Sequence, residues 1–358
     1  MDAREDVEEM KLYTKEGWLD AKHIEAVADK NDINFIVIIG KRQIGKTYNV
    51  LSLMLDENKN FIFMRRVKPE IEMLEKGVNS PFDKLKKYQG LVTLQKESEY
   101  TAKIVKLVVD EDGNESLNQI GLGAALSTIG RLRGFNGDLY SDVVFDEFIP
   151  EEHLYKVRNE GTAFKSAHDT INGNRELEGR RCLRWWLLAN SNDLDNAILE
   201  ALHITKIVER MSIRGDEYMI LKERGVMLIM PDSPQISEKR AKTGLYRAIG
   251  LDDDYSKMAL GNEFSFNDYT DVQSCALQEF NPYLTIGNIT ICLHKSQKYL
   301  YVVDKLKAKP KYKYTDSKTH INTFNRRHSD VKAAYLNGRI VFNNMSVKNY
   351  FLHYAELD

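Results

Sequence analysis

Five consecutive apolar residues, Phe35-Ile36-Val37-Ile38-Ile39, stand out from the polar residues around them. A run this short and unbroken suits a strand buried on both faces, as in a parallel sheet. Phe61 to Met64, Val143 to Phe145 and Trp185 to Ala189 share that character, the last run ending at Asn190. Val50, Leu51, Met54 and Leu55 recur at helical spacing and predict a helix over residues 47–55. Residues 100–120 alternate about Asp112-Gly113, which predicts a hairpin. Strands separated by helical stretches predict an α/β domain with a mainly parallel central sheet. Residues 1–30 read as polar and helical, packed onto the core through Trp18, Ile24 and Val27.

Beyond Pro231-Asp232-Ser233-Pro234 the pattern changes. Residues 237–260 are charged and read as helical. From about Phe266 a second, smaller unit begins, with strand-like segments at 286–293 and 299–303, a basic loop, a helix over 330–336 and a strand at 340–342. No internal repeat or low-complexity tract is present.

At 358 residues the chain is long enough for two domains, and its 42% hydrophobic content is that of a globular protein. Cys182, Cys275 and Cys292 are far apart, which excludes a disulfide framework and a cysteine-rich zinc site and fits a reducing cytoplasm. The acidic N-terminus does not read as a signal peptide, and no apolar run has the length of a membrane span. A net charge of -2 leaves nucleic-acid binding to local charge clusters.

The first apolar run leads into Gly40-Lys41-Arg42-Gln43-Ile44-Gly45-Lys46-Thr47, the G-x-x-x-x-G-K-[ST] pattern of a phosphate loop. Gly40 and Gly45 let the backbone bend around phosphate, and the loop N–H groups with the helix N-terminus cradle the anion. Lys46 is expected to reach the β- and γ-phosphates of ATP, and the Thr47 hydroxyl to ligate Mg2+. Asp146, at the end of a later apolar strand, is the expected second magnesium ligand, and Glu147 the base that deprotonates the attacking water. A phosphate loop joined to such a glutamate points to a nucleoside triphosphate hydrolase rather than a nucleotide kinase. Asn190 is either a sensor of the γ-phosphate or a strand-end cap. Gly121-Leu122-Gly123 lacks the rest of a dinucleotide fingerprint, and Asp110, Asp112 and Asn114 lack the later ligands of a calcium loop.

Arg133 and Arg175 each precede a core strand and are candidates for an arginine acting across a subunit interface on transition-state charge. Near the C-terminus, Lys305, Lys307, Lys309, Lys311 and Lys313 alternate strictly, with Arg326 and Arg327 following and Tyr312 and Tyr314 interleaved. An extended segment of this kind has one positive face, which suits a phosphate backbone read without sequence preference, or is a solvated loop.

Several segments together resemble the DNA-packaging ATPases of φ29-like phages. These are Ile39 to Tyr48, Arg65-Arg66-Val67-Lys68-Pro69-Glu70, Val144 to Ile149, Leu188-Ala189-Asn190-Ser191, and Pro231-Asp232-Ser233 with the Lys239 to Thr243 helix. The resemblance implies an N-terminal P-loop ATPase domain over 1–237, a helical linker or lid over 238–265, and an α+β domain of RNase H-like fold over 266–358. It implies the loop residues through Tyr48 as the nucleotide cradle. It also implies a homo-pentameric ring at the portal vertex of a prohead in the host cytoplasm, driving double-stranded DNA inward with a packaging RNA as a partner. Arg133 aligns with one trans-acting basic residue of the family, while the other falls on Gly173, two residues before Arg175. The segment 284–293 carries no acid, and Asp304 and Asp330 make a poor metal cluster, so the C-terminal domain is expected to bind nucleic acid without cutting it. The alternatives are a terminase large subunit that cuts DNA, or a P-loop nucleotide switch or helicase-like NTPase.

Overall fold

The computed structural model describes residues 10–131, 136–151, 159–253, 256, 260, 270–307 and 309–357. The chain divides into two compact units, Met1–His203 with Arg210–Ser265 and Ile204–Glu209 with Phe266–Asp358. Residues 238–265, expected as a separate linker, cluster with the first unit, and Ile204–Glu209, expected in the first, cluster with the second.

The first unit is built on nine strands. In chain order they are β1 (Phe35–Ile39), β2 (Phe61–Arg65), β3 (Val92–Lys96), β4 (Thr101–Val109), β5 (Glu115–Ala125), β6 (Asp142–Asp146), β7 (Arg184–Ala189), β8 (Tyr218–Leu221) and β9 (Val226–Ile229). Their order in the sheet is β3-β4-β5-β2-β6-β7-β1-β9-β8. The six from β5 to β9 run parallel, and the antiparallel β4 and β8 flank them. Every residue of β6, β7 and β9 is buried, which accounts for their unbroken apolar runs.

Helices α1 (Ala21–Lys30), α2 (Lys46–Asp56), α3 (Lys68–Glu75) and α4 (Glu160–Asn172) are the main helices of this unit. Ile36 and Ile38 of β1 share a core with Ile24 and Ala28 of α1 and Val50, Leu51 and Met54 of α2. Trp185 and Trp186 are fully buried, and their alternation sends the two indoles to opposite faces. Trp185 Nε1 donates to His168 Nδ1 at 3.0 Å, and Trp186 Nε1 donates to the buried Asp142 carboxylate at 3.1 Å. Burial lowers the His168 pKa, which keeps that acceptor neutral. Arg184, also buried, is held by Glu25 at 3.3 Å and Asp29 at 2.7 Å, tying α1 to β7.

Residues 10–20 are not helical. Thr14 N donates to the Trp18 carbonyl and Tyr13 bridges to Leu19, forming a small hairpin, and α1 starts only at Ala21 behind an Asp20 cap. Trp18 faces outward at 42% exposure, whereas Leu19 and Ile24 are fully buried. Short helices α5 (Ala197–Ala201), α7 (Pro234–Ala241) and α8 (Gly244–Ile249) complete the first unit, and α6 (Thr205–Arg214) starts in the segment that clusters with the second.

The second unit has strands β10 (Phe280–Ile286), β11 (Ile289–His294), β12 (Leu300–Asp304), β13 (Tyr312–Tyr314) and β14 (Ile340–Phe342), in the order β13-β10-β11-β12-β14. β10, β11 and β12 form an antiparallel meander, while β13 runs parallel to β10 and β14 parallel to β12. Helices α9 (Lys318–Arg327), α10 (Ser329–Leu336) and α11 (Met345–Ala355) cover one face through Phe324, Val331 and Phe351. The strand expected at 286–293 is β11, which starts only at Ile289, because the chain turns out of β10 at Gly287. Gly287 makes that turn at φ +47, where a Cβ would collide with the Tyr350 hydroxyl and the Asp316 carboxylate. Among the described residues, no helix is long and apolar enough to cross a membrane.

Candidate active site

β1 delivers the chain to Gly40, whose N–H donates to the Ala189 carbonyl at 3.2 Å. A Cβ on Gly40 would lie 2.9 Å from Pro231 Cδ, so only glycine lets the loop pass there. Gln43 at φ +61 and Gly45 at φ +88 then bend the loop into the start of α2. The first N–H groups of a helix have no acceptor within it, as an anion cradle requires.

Lys46 lies under the loop. Its Nζ donates to the Gly40 carbonyl at 2.8 Å, the Lys41 carbonyl at 2.7 Å and Asn190 Oδ1 at 3.1 Å. Burial pushes its pKa down to about 7, with Asp146 acting in the opposite direction. Thr47 Oγ1 donates to Asp146 Oδ1 at 2.8 Å. A hydroxyl and a carboxylate oxygen converging beside a phosphate loop are the hard donors that magnesium takes, so the residues present fit the metal. The next residue, Glu147, is left-handed at φ +58, and its side chain is 58% exposed. Such a backbone is uncommon in a non-glycine residue, and strained positions of this kind cluster at functional sites.

Arg65, at the end of β2, pairs with both acids. Its Nη2 stands 3.2 Å from Asp146 Oδ2, and its Nη1 bonds Glu147 Oε2. Burial opposes its charge, but Asp146 and then Glu147 outweigh that and raise its pKa. Neighbouring Arg66 is buried and makes a two-pronged bond to Glu160, with Nε at 2.8 Å, fastening the end of β2 to the start of α4. Lys41 is buried too, its Nζ bonded to Asp232 and to Ser237 Oγ at 2.9 Å, while Arg240 donates to the Arg42 carbonyl. Arg42 itself pairs with Glu151. The phosphate loop is thereby tied to α7 and to the segment before it.

A family model described as podovirus DNA encapsidation protein (Gp16) matches residues 23–355. The chain belongs to that family. The chain resembles two solved motors in fold. One is the bacteriophage phi29 viral genome packaging motor assembly, with 20% identity, a TM-score of 0.63, and 96% of this chain and 98% of that one covered. The other is the phi28 gp11 DNA packaging motor, with 15% identity, a TM-score of 0.57, and coverage of 96% and 99%. No curated protein sequence matches. As a Gp16 protein the chain works in phage DNA encapsidation.

The remaining residues singled out from the sequence fall in different places. Asn190 faces Lys46 at the phosphate loop. Tyr48, on the first turn of α2, is 40% exposed. Arg175 is buried, and its guanidinium donates to the carbonyls of Gly137 and Tyr140, so it anchors that loop rather than presenting a free cation. Arg133 lies outside the described residues. Lys305, Lys307, Lys309, Lys311 and Lys313 are all exposed, with half-buried Leu306, Pro310 and Tyr312 between them. Lys311 Nζ sits 5.3 Å from the Tyr312 ring centroid. Arg326 and Arg327 are exposed at the end of α9. Asp304 is engaged by Lys206 and by Asn343 Nδ2 at 3.3 Å.

Sequence reading gave no catalytic role to Arg65 or Asp232; it placed Lys41 in the nucleotide cradle and Trp18 in the core. Arg65 follows an apolar strand that ends level with the Asp146 strand, and that adjacency was its available signal. The others depend on contacts between segments distant in sequence.

Proposed function

We propose that the chain is a magnesium-dependent ATP hydrolase that drives double-stranded DNA into a prohead as a homo-oligomeric, pentameric ring. The observation that carries this reading is the 2.8 Å contact from Thr47 to Asp146, with Glu147 beside it and Lys46 beneath the loop. Magnesium, bound through Thr47 and Asp146, would neutralise charge on the phosphates. The loop amides and Lys46 bind the triphosphate. Glu147 takes a proton from water as that water attacks the γ-phosphorus and the bond to the ADP oxygen breaks. Arg65 must release Glu147 first, so its grip on both acids describes the resting state. Arg133 is the trans-acting arginine of this reading, because Arg175 is committed to backbone carbonyls.

The second unit is proposed to be an RNase H-like domain, supported by its meander and the parallel β13 beside β10. There the lysine row binds nucleic acid, and the ring meets the portal and a packaging RNA at the prohead vertex in the host cytoplasm. Glu147→Gln is expected to bind ATP with near-normal affinity and to lose at least about 100-fold in turnover, the lower end of the range for a general base. Steady-state hydrolysis within a few-fold of the parent would overturn the assignment.

A further inference from the structure

We propose that Trp18 is the stacking platform for the nucleobase of the bound triphosphate. The inference rests on the phosphate-loop reading above and adds the base subsite to it. The indole is 42% exposed, although its chain neighbours Gly17 and Leu19 are fixed on both sides. Leu19 is fully buried, and its N–H donates to the Ile44 carbonyl of the phosphate loop at 3.3 Å. Gly17, at φ +88, passes against Ser233 and Gln235, and its carbonyl accepts from Ser233 Oγ at 2.7 Å. The hairpin of residues 13–19 is therefore clamped between the phosphate loop and the start of α7, and it turns Trp18 outward at the loop's edge.

The indole Cε3 stands 3.5 Å from where a Cβ of Gly45 would lie, in van der Waals range of the glycine that begins α2. A phosphate chain seated on Gly45, Lys46 and Thr47 must carry its sugar and base out past this turn. Tyr48, on the first turn of α2, is a second exposed aromatic, at 40%. A large apolar ring left half in water beside a site for an aromatic ligand can stack on it: base-on-ring stacking is worth about 1–3 kcal/mol and tolerates any base, since each has a π-face. The hydrophobic pattern alone assigned Trp18 to the core. The hairpin overrides that by burying Leu19 in its place.

The test uses a property of this sequence. It holds three tryptophans, and Trp185 and Trp186 are fully buried, so Trp18 alone is open to an aqueous quencher. With the full-length chain, magnesium-ATP is expected to change the emission and shield it from acrylamide, while inorganic tripolyphosphate binds without doing so. Trp18→Ala is expected to weaken ATP binding about 5- to 150-fold, the range that stacking implies. It should leave tripolyphosphate affinity within two-fold, and Trp18→Phe should restore most of the loss. If ATP binds but leaves quenching unchanged, or if Trp18→Ala binds ATP like the parent, the platform is refuted while the phosphate loop stands. If neither ATP nor tripolyphosphate binds the parent protein, the nucleotide reading falls and takes the platform with it.

Discussion

Lys46 is a cation sealed from water inside a loop shaped for anions. Its pKa, lowered to about 7 by burial, lets part of the resting side chains give up a proton at pH 8, and one of the three hydrogen bonds with it. An arriving phosphate favours the ammonium and pulls the pKa back up, so binding at pH 8 must draw in a proton. Titration calorimetry in buffers of different ionisation enthalpy should show more proton uptake per nucleotide at pH 8 than at pH 6. Lys46→Arg should abolish the pH dependence, and uptake of equal size at both pH values would contradict it. The sign for stability is also fixed. The unfolded lysine titrates near 10.4, above its folded value, so the unfolded chain binds more protons between the two and stability rises with pH across that window. Lys46, Thr47, Asp146 and Glu147 were legible in the sequence because each belongs to a short motif whose spacing encodes the chemistry. Arg65 and Trp18 were not, because their roles come from a strand neighbour and a hairpin clamp.

At the scale of elements, apolar runs bounded by polar residues located β1, β2, β6 and β7 within a residue or two. These central strands have both faces covered, which leaves no alternation to misread. Failures came where a turn hides inside an apolar stretch, as at Gly287, or where one buried residue organises a polar segment, as Leu19 does. The lysine row behaves as an exposed face, but only Tyr312–Tyr314 of it is a strand. Replacing Lys307, Lys309 and Lys311 by alanine should weaken DNA binding and make the slope of log K against log salt shallower by about 2–3, close to one per lost phosphate contact. DNA incubated with the protein and manganese should stay uncut. An unchanged slope would show that the row is merely solvated.

Across the whole molecule the sequence revealed an α/β unit followed by a smaller one, because the character of the chain changes after its proline-bounded segment. It did not show that residues 204–209 cluster with the second unit, since a six-residue stretch carries too little pattern to declare its partner. The proposed ring makes Arg133 a donor to a neighbouring site. Arg133→Ala and Lys46→Ala subunits, each nearly inactive alone, should regain up to about a quarter of parental hydrolysis when mixed, because some interfaces then join an intact loop to an intact arginine. No recovery at any ratio would remove the trans role, and images of the motor on proheads should count five subunits.

The clamp between Arg66 and Glu160 has a consequence for a machine that handles a polyanion. A nucleic acid carries a dense cloud of counterions, and that cloud weakens contacts between exposed charges. Both members of this pair are buried, at 2% and 5% exposure, so mobile ions cannot come between them. The joint between the end of β2 and the start of α4 therefore keeps its stiffness in the same salty surroundings that loosen the surface lysines.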